Sequence, residues 1–240
     1  MFIDAQDMHF QALNQAVRSC GGKAEIDHCF GQRFIGSGLS DCSITINGTP
    51  GNALGAYLDG AEIVVHGNAQ DAVGDTMNDG RIVIHGNVGD ALGYAMRGGC
   101  IYVKGSSGYR TGIHMKEYKE KKPLIVIGGC CGSFLGEYLA GGLILVLGLG
   151  LAEGQHQLGH FTGTGMHGGR IVLRCDHIPA DLPEQVSAAF AAPEDLQSIR
   201  PYCQEYCRLF GGSASQLMDS PFVVLTPNAK NPYKRLYTQN

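Results

Sequence analysis

The chain has little charge and no excess of one sign to exploit. Of its 240 residues 17% are Asp, Glu, Lys or Arg, and a net charge of −4 gives no electrostatic case for nucleic acid or membrane as a partner. Long apolar runs are missing too. The longest, Leu143 to Leu151, is broken by two glycines and falls far short of the ~20 residues of a membrane helix. The opening Met1-Phe2-Ile3-Asp4 lacks the basic region and apolar core of a signal peptide, so a cytoplasmic protein is expected. No Cys-x-x-Cys occurs and the nine cysteines are odd in number, which argues against a disulfide framework. Cys42, Cys100 and Cys175 lie in or beside predicted strands, where a free cysteine serves as a small hydrophobe.

Glycine is what the chain has in plenty: 36 residues, roughly twice the average share of about 7%. It does not recur at every third position, which excludes a collagen-like triple helix. It recurs every nineteenth instead, at Gly48, Gly67, Gly86 and Gly105, with a second series at Gly36, Gly55, Gly74, Gly93 and Gly112. An apolar pair keeps the same phase: Ile44 and Ile46, Ile63 and Val65, Ile82 and Ile84, Ile101 and Val103. After a short insertion the beat resumes with Ile125, Ile127 and Gly129, then Ile144, Val146 and Gly148; Gly136 belongs to the second series. A fixed period of this kind marks a repeat architecture whose units bury their apolar faces by stacking.

The apolar segments are short, β-branched and alternating, so they read as strands. Nineteen residues are too few for a propeller blade, and the Leu/Asn pattern of leucine-rich repeats is absent. The reading is an all-β, single-stranded, right-handed parallel β-helix of six to seven rungs, with Gly36, Gly55, Gly74, Gly93, Gly112 and Gly136 as structural corners. Stacking predicts columns: Asn68 over Asn87 with exchanged side-chain amide bonds, Asn52 over Asp71 over Asp90, and His66, His85 and Lys104 together. The two histidines are expected to be neutral and solvent-facing.

Residues 1–23 read as a capping helix with Asp4 as N-cap, an apolar stripe of Phe10, Leu13 and Val17, and a stop at Gly21-Gly22. The coil occupies 24–177, and 178–240 read as a helical cap and extended arm. In that tail Asp181 with Glu184 resembles a helix start, and a helix near Pro201 to Phe210 ends at Gly211-Gly212. Phe222 to Leu225 and Pro232 to Tyr237 look extended. Unpaired strand edges at the two ends of the coil invite aggregation unless these segments cover them. Two insertions break the period, at Lys116 to Lys122 and at Gly150 to Gly165. Insertions in a solenoid emerge on its surface, which makes Lys116, Glu117, Tyr118, Lys119, His156, His160 and His167 candidate contact residues.

No constellation here requires chemistry. Gly163-Thr-Gly-Met-His-Gly168 spells G-x-G-x-x-G, but a strand follows it where a dinucleotide site needs a helix. His156, His160 and His167 could converge on a metal, yet no carboxylate or cysteine completes the set. Cys203 and Cys207 stand one helical turn apart, and two ligands do not make a zinc or cluster site. Cys130-Cys131 has no evident base. Lys116 to Lys122 sets two glutamates against four lysines, and Asp71 with Asp90 suits a solvated ladder better than paired catalytic carboxylates.

The recurring corners, and above all Gly132-Ser-Phe-Leu-Gly-Glu-Tyr-Leu-Ala-Gly-Gly142, resemble the C-terminal β-helical GXGXG domain of the glutamate synthase large subunit. With Met115-Lys-Glu-Tyr118 upstream, the segment also resembles the related β-helical subunit of formylmethanofuran dehydrogenase. The resemblance covers residues 24 to 175. It implies a scaffold with no catalytic, cofactor-binding or metal residue of its own. FMN and iron–sulfur groups would be held by partner subunits alone. Position 2 is Phe, not the exposed cysteine of that family's glutaminase.

The resulting expectation is a non-catalytic structural subunit of a glutamate synthase-type oxidoreductase complex. Its partners would be glutaminase-type and FMN-dependent synthase subunits, working in glutamate or N-methylglutamate formation. Nucleic acid and membrane are not expected, and the isolated chain could self-associate. The alternatives are the equivalent β-helical component of a formylmethanofuran dehydrogenase/formyltransferase complex, or a free-standing hydrolase.

Overall fold

The computed structural model describes residues 1–152 and 154–228. Strand β1 is Phe2–Asp4 and helix α1 is Phe10–Arg18; β2 is Lys23–Phe30, β3 Ser43–Thr49, β4 Asp59–His66 and β5 Asp79–Ile84. Then come β6 at Cys100–Val103, β7 at Leu124–Ile127, β8 at Ala140–Val146 and β9 at Gly168–Arg174. The tail holds β10 (Val186–Phe190), α2 (Pro193–Phe210), α3 (Ala214–Met218) and β11 (Phe222–Pro227). Strands β2 to β9 lie side by side in chain order, every pair parallel, so each successive strand is one more circuit of a β-helix.

Branched aliphatics fix the register. Ile44 pairs with Ile63, and the column continues through Ile82, Ile101, Ile125 and Ile144 to Ile171. All seven are fully buried, since alternate residues of each strand point into the coil. From β2 to β9 the coil makes eight parallel strands, more than the six to seven rungs expected. The first circuit escapes a nineteen-residue count because Ala24 and Ile26 pair with Ile44 and Ile46, twenty positions on. A register shift between Ile26 and Cys29, with His28 at φ 55°, absorbs the extra residue.

The N-terminus differs from the expected single helix. Phe2–Asp4 adds a parallel edge strand to β2, and Asp4 is no N-cap: its carboxylate lies 2.9 Å from His28 Nδ1 and accepts the Gln6 N–H. Helix α1 starts only after His9, whose ring nitrogen accepts the Gln11 N–H at 3.4 Å. Leu13 and Val17 then bury into the same core as Ile26 and Ile35. At the other end β11 pairs antiparallel with β9, and β10 with β11. Phe222 to Leu225 is therefore a sheet strand, not a free arm: Val223 and Leu225 carry the two inner columns one step further, opposite Leu173 and Ile171. The Pro232 to Tyr237 segment lies outside the described residues.

Residues 181–185 are not helical, and Asp181 with Glu184 leads into β10. Helix α2 runs unbroken from Pro193 through Pro201 to Phe210. Proline inside a helix removes one backbone bond and costs about 3 kcal/mol, which packing on both sides of Pro201 offsets. Ile199, Cys203 and Tyr206 bury against Tyr102, Val126, Leu145 and Val172. So α2 covers the flank of the coil along β6–β9. The flank needs that cover because Leu124-Ile-Val-Ile127 and Leu143-Ile-Leu-Val146 are apolar on both faces and buried throughout. Arg170 holds α2 through Ser198 Oγ at 2.9 Å and Asp195 at 3.4 Å, and Arg81 through Glu205. Gly128 leaves room for the Tyr206 hydroxyl, which donates to the Lys104 carbonyl at 2.9 Å.

Candidate functional site

Each circuit turns its corner on three left-handed residues set two apart. One rung has Arg110, Gly112 and His114 at φ 58°, 70° and 55°; the next has Phe134, Gly136 and Tyr138 at 63°, 64° and 54°. The alternation turns successive N–H groups in opposite directions along the coil. Gly112 donates back to Leu92 O, while Arg110 and His114 donate forward to Ser133 O and Glu137 O, all at 2.7–2.9 Å. Only the middle position must be glycine. A Cβ on Gly74 would lie 2.5 Å from Ile101 Cδ1, and one on Gly136 2.7 Å from Ile171 Cδ1. The flanking side chains point outward and are free to vary.

Six of the fourteen flanking positions carry rings, at Phe34, Tyr57, His114, Phe134, Tyr138 and Phe161, and Tyr94 adds another just past Gly93. Phe134 and Phe161 stack with centroids 5.0 Å apart, and the His114 ring stacks on Tyr138 at 5.0 Å with 8° between planes. Tyr94 meets His114 edge-on at 5.9 Å. Arg110 lies 5.3 Å over Phe134 and pairs with Glu137 at 3.2 Å. Tyr57, Tyr94 and Phe161 are 56%, 40% and 56% exposed, so the corner presents an aromatic strip to solvent. Sequence reasoning missed this strip. Its signal lay one and two residues beyond the corner glycines and two before them, positions that a search for glycines passes over.

Charged residues of the first insertion fold back on the coil. Lys116 donates its N–H to Met96 O at 3.0 Å, and Glu117 accepts the Gly142 N–H at 3.1 Å. Tyr118 bridges to Lys121, and Lys119 lies over the Tyr118 ring at 5.3 Å. Lys121 reaches Asp79 at 2.9 Å and holds that carboxyl below its usual range. In the second insertion His156 and His160 line a cleft of about 560 Å³ with Arg174, Cys175 and His177, whereas His167 lies outside it and contacts Gly165 O at 3.1 Å. A second hollow lies between α1 and the first corner, at Phe10, Asn14, Arg18 and Phe34. Among the described residues no three His, Cys, Asp or Glu are grouped to hold a metal ion.

The cysteines are free thiols. Burial pushes Cys131 up to about 12 and Cys203 up to about 11, and such groups stay protonated and unreactive. Cys203 faces the sheet beneath α2. The asparagine column does not exchange side-chain amides as expected. Asn68 Oδ1 accepts the Asn87 N–H, and Asn87 Oδ1 the Ser106 N–H, each at 2.8 Å. Asp71 and Asp90 do the same for the N–H groups of Asp90 and Tyr109 at 2.9 and 2.8 Å. A side-chain oxygen one rung away from an otherwise unpaired N–H explains the substitution of Asp for Asn. His66 is exposed, but His85 lies against Phe210 at 5.1 Å. Burial, His66 and Lys104 lower the His85 pKa.

No helix among the described residues is long and apolar enough to cross a membrane. The GXGXG motif family matches residues 5–226. An uncharacterized protein of Methanocaldococcus jannaschii is 42% identical over 251 residues, which span 98% of this chain and 95% of that protein. A chain of the formyltransferase/hydrolase complex from Methylorubrum extorquens, solved with methylofuran, is similar with a TM-score of 0.63. That likeness covers 90% of this chain and 86% of the other at 18% identity, and it is one of fold.

Proposed function

The chain belongs to the GXGXG motif family, and on that premise we propose that it is a non-catalytic spacer that holds the catalytic subunits of a larger complex at fixed separation. The observation that carries this reading is the coil itself. Its interior is filled by stacked aliphatic columns, and the described cysteines are free, with the deepest thiols pushed well above neutrality. Eight rungs about 4.8 Å apart make a rod roughly 34 Å long, stiffened by every backbone ladder along it. Such a rod can set a distance and present a surface.

In the finer reading the partners are those of a formyltransferase/hydrolase-type assembly, and this chain takes the place of its β-helical member. Likeness of fold over nine-tenths of the chain supports it. A glutamate synthase-type complex is the second reading, favoured by the segment Gly132 to Gly142. There the spacer would position glutaminase and FMN-dependent synthase subunits. In both, any FMN or iron–sulfur group belongs to partner subunits, and the isolated chain associates with itself through the surface it keeps for them.

Affinity purification of the tagged chain from its own organism, with identification of what co-purifies, tests the proposal. Formyltransferase and hydrolase subunits support the first reading, and glutaminase and flavin-containing synthase subunits the second. Recovery of the chain alone overturns both. Turnover by the lone chain, abolished by substituting His156 or His160, would replace them with a hydrolase.

A further inference from the structure

Resting on that reading, we infer that the aromatic corner strip is the docking surface for a partner subunit, and that the partner lays arginine or lysine side chains across it. Three stretches of the surface are closed to it. Helix α2 covers the flank along β6–β9, while α1 and β10–β11 cover the two ends. From the rung of Phe34 to that of Phe161 the strip crosses six steps, about 29 Å, long enough to seat a standard interface.

The composition of the strip points outward. Its flanking positions require left-handed backbone, which glycine adopts freely and which costs a side-chain-bearing residue about 1 kcal/mol or more. Gly38 and Gly165 show that glycine fits there. Yet this chain places Phe34, Tyr57 and Phe161 at φ 57–63°, and all three side chains are exposed. Rings held at unfavourable φ and left exposed serve a contact that the lone chain does not make.

Chemistry of the partner follows from a contrast along the strip. Near its C-terminal end a cation, a ring and a carboxylate form a complete unit: Arg110 lies over Phe134 and pairs with Glu137. Further down, Tyr57 donates its N–H to the Asp75 carbonyl and Thr76 donates its N–H to the Tyr94 carbonyl, each at 2.7 Å; the Asp75 carboxylate accepts from Thr76 Oγ1 at 2.7 Å, and among the described residues it has no cation within salt-bridge distance. Rings and one acid are present there without the guanidinium that completes the unit in cis. An incoming arginine can stack on a tyrosine and pair with a carboxylate at once.

Hydroxyl-radical footprinting of the lone chain and of the complex purified from its own organism tests this. Tyr57, Tyr94 and Phe161 should lose at least fivefold in reactivity within the complex, while Phe30, exposed at the first rung, changes little. Asp75→Lys should cut partner retention at least tenfold with an unchanged melting temperature of the lone chain. Tyr57→Gly, which relaxes the backbone, should cut retention without loss of stability. If the wild-type chain recovers its partners while the strip stays reactive and both variants retain them, the docking inference is overturned and the spacer reading survives. If the wild type recovers no partner, both fall. Concentration-dependent protection of the strip in the lone chain, with no further protection in the complex and no loss of partner by either variant, would assign it to a second copy and overturn the partner assignment.

Discussion

Gly74→Ala should destabilise the coil by about 2–5 kcal/mol, a large effect for one methyl group. Gly74 has φ +68°, where an L-residue is disfavoured by about 1–2 kcal/mol. The new Cβ would also stand 2.5 Å from Ile101 Cδ1, a side chain with no exposed surface, and overpacking a tight core costs about 1–3 kcal/mol. The two effects separate in a double-mutant cycle. Ile101→Val deletes the offending methyl group at a cost of about 0.5–1.5 kcal/mol alone. The double variant should therefore be more stable than the sum of the singles by about 1–3 kcal/mol. Ala72→Gly, two residues away at φ 57°, should stay within about 1 kcal/mol of wild type, because relief of left-handed strain offsets glycine's unfolded-state entropy. Urea denaturation followed by far-UV circular dichroism reads all four midpoints. A loss below about 1 kcal/mol for Gly74→Ala, or strict additivity with Ile101→Val, would refute the argument that the middle corner glycine is fixed by the isoleucine of the next rung.

Three further expectations concern the ladders and the helix. Asn87→Ala should cost about 1 kcal/mol by removing the acceptor of the Ser106 N–H, whereas Asn87→Asp should be nearly neutral in the same melts, since Asp71 and Asp90 already play that part. Arg208 first, and Arg81 beside it, hold the Glu205 carboxyl down to about 2 against an ordinary 4.5. A lowered folded-state pKa means that its stabilisation is complete above about pH 4.5 and is lost as pH falls toward 2. Melting temperatures of wild type and Glu205→Gln should accordingly converge across that window, and a constant difference would contradict the assignment. Gly128→Ala should displace the Tyr206 hydroxyl and raise amide exchange throughout α2, with β3–β5 protected as before.

Much of the coil was legible because its determinants are local. The pair Ile63 and Val65 faces inward by alternation alone, and Gly74 or Gly93 marks a corner wherever it falls. Short-range reasoning failed where the signal was brief or shared. Phe2–Asp4 is three residues long and reads as a helix start until its pairing with β2 is seen. Asn87 has the right column but the wrong partner, because a backbone N–H on the next rung competes with a neighbouring amide and wins. The candidate site was the least legible part. Tyr57, Phe134 and Phe161 carry no periodicity of their own, and only the left-handed corner, which sends alternate side chains outward, lines them into a strip.

The continuous apolar runs in β7 and β8 did announce that a second face of the sheet needed cover. They could not say what would provide it. The amino-acid sequence by itself determined the period, the inward columns and the glycine corners, since these follow from backbone sterics within one circuit and its neighbour. Tertiary structure alone decided that α2 would seal the flank and that the corner would stay open. The contacts that fix this, Tyr206 to Lys104 and Glu205 to Arg81, join residues 102 and 124 positions apart. No local pattern encodes which distant surface a helix will meet.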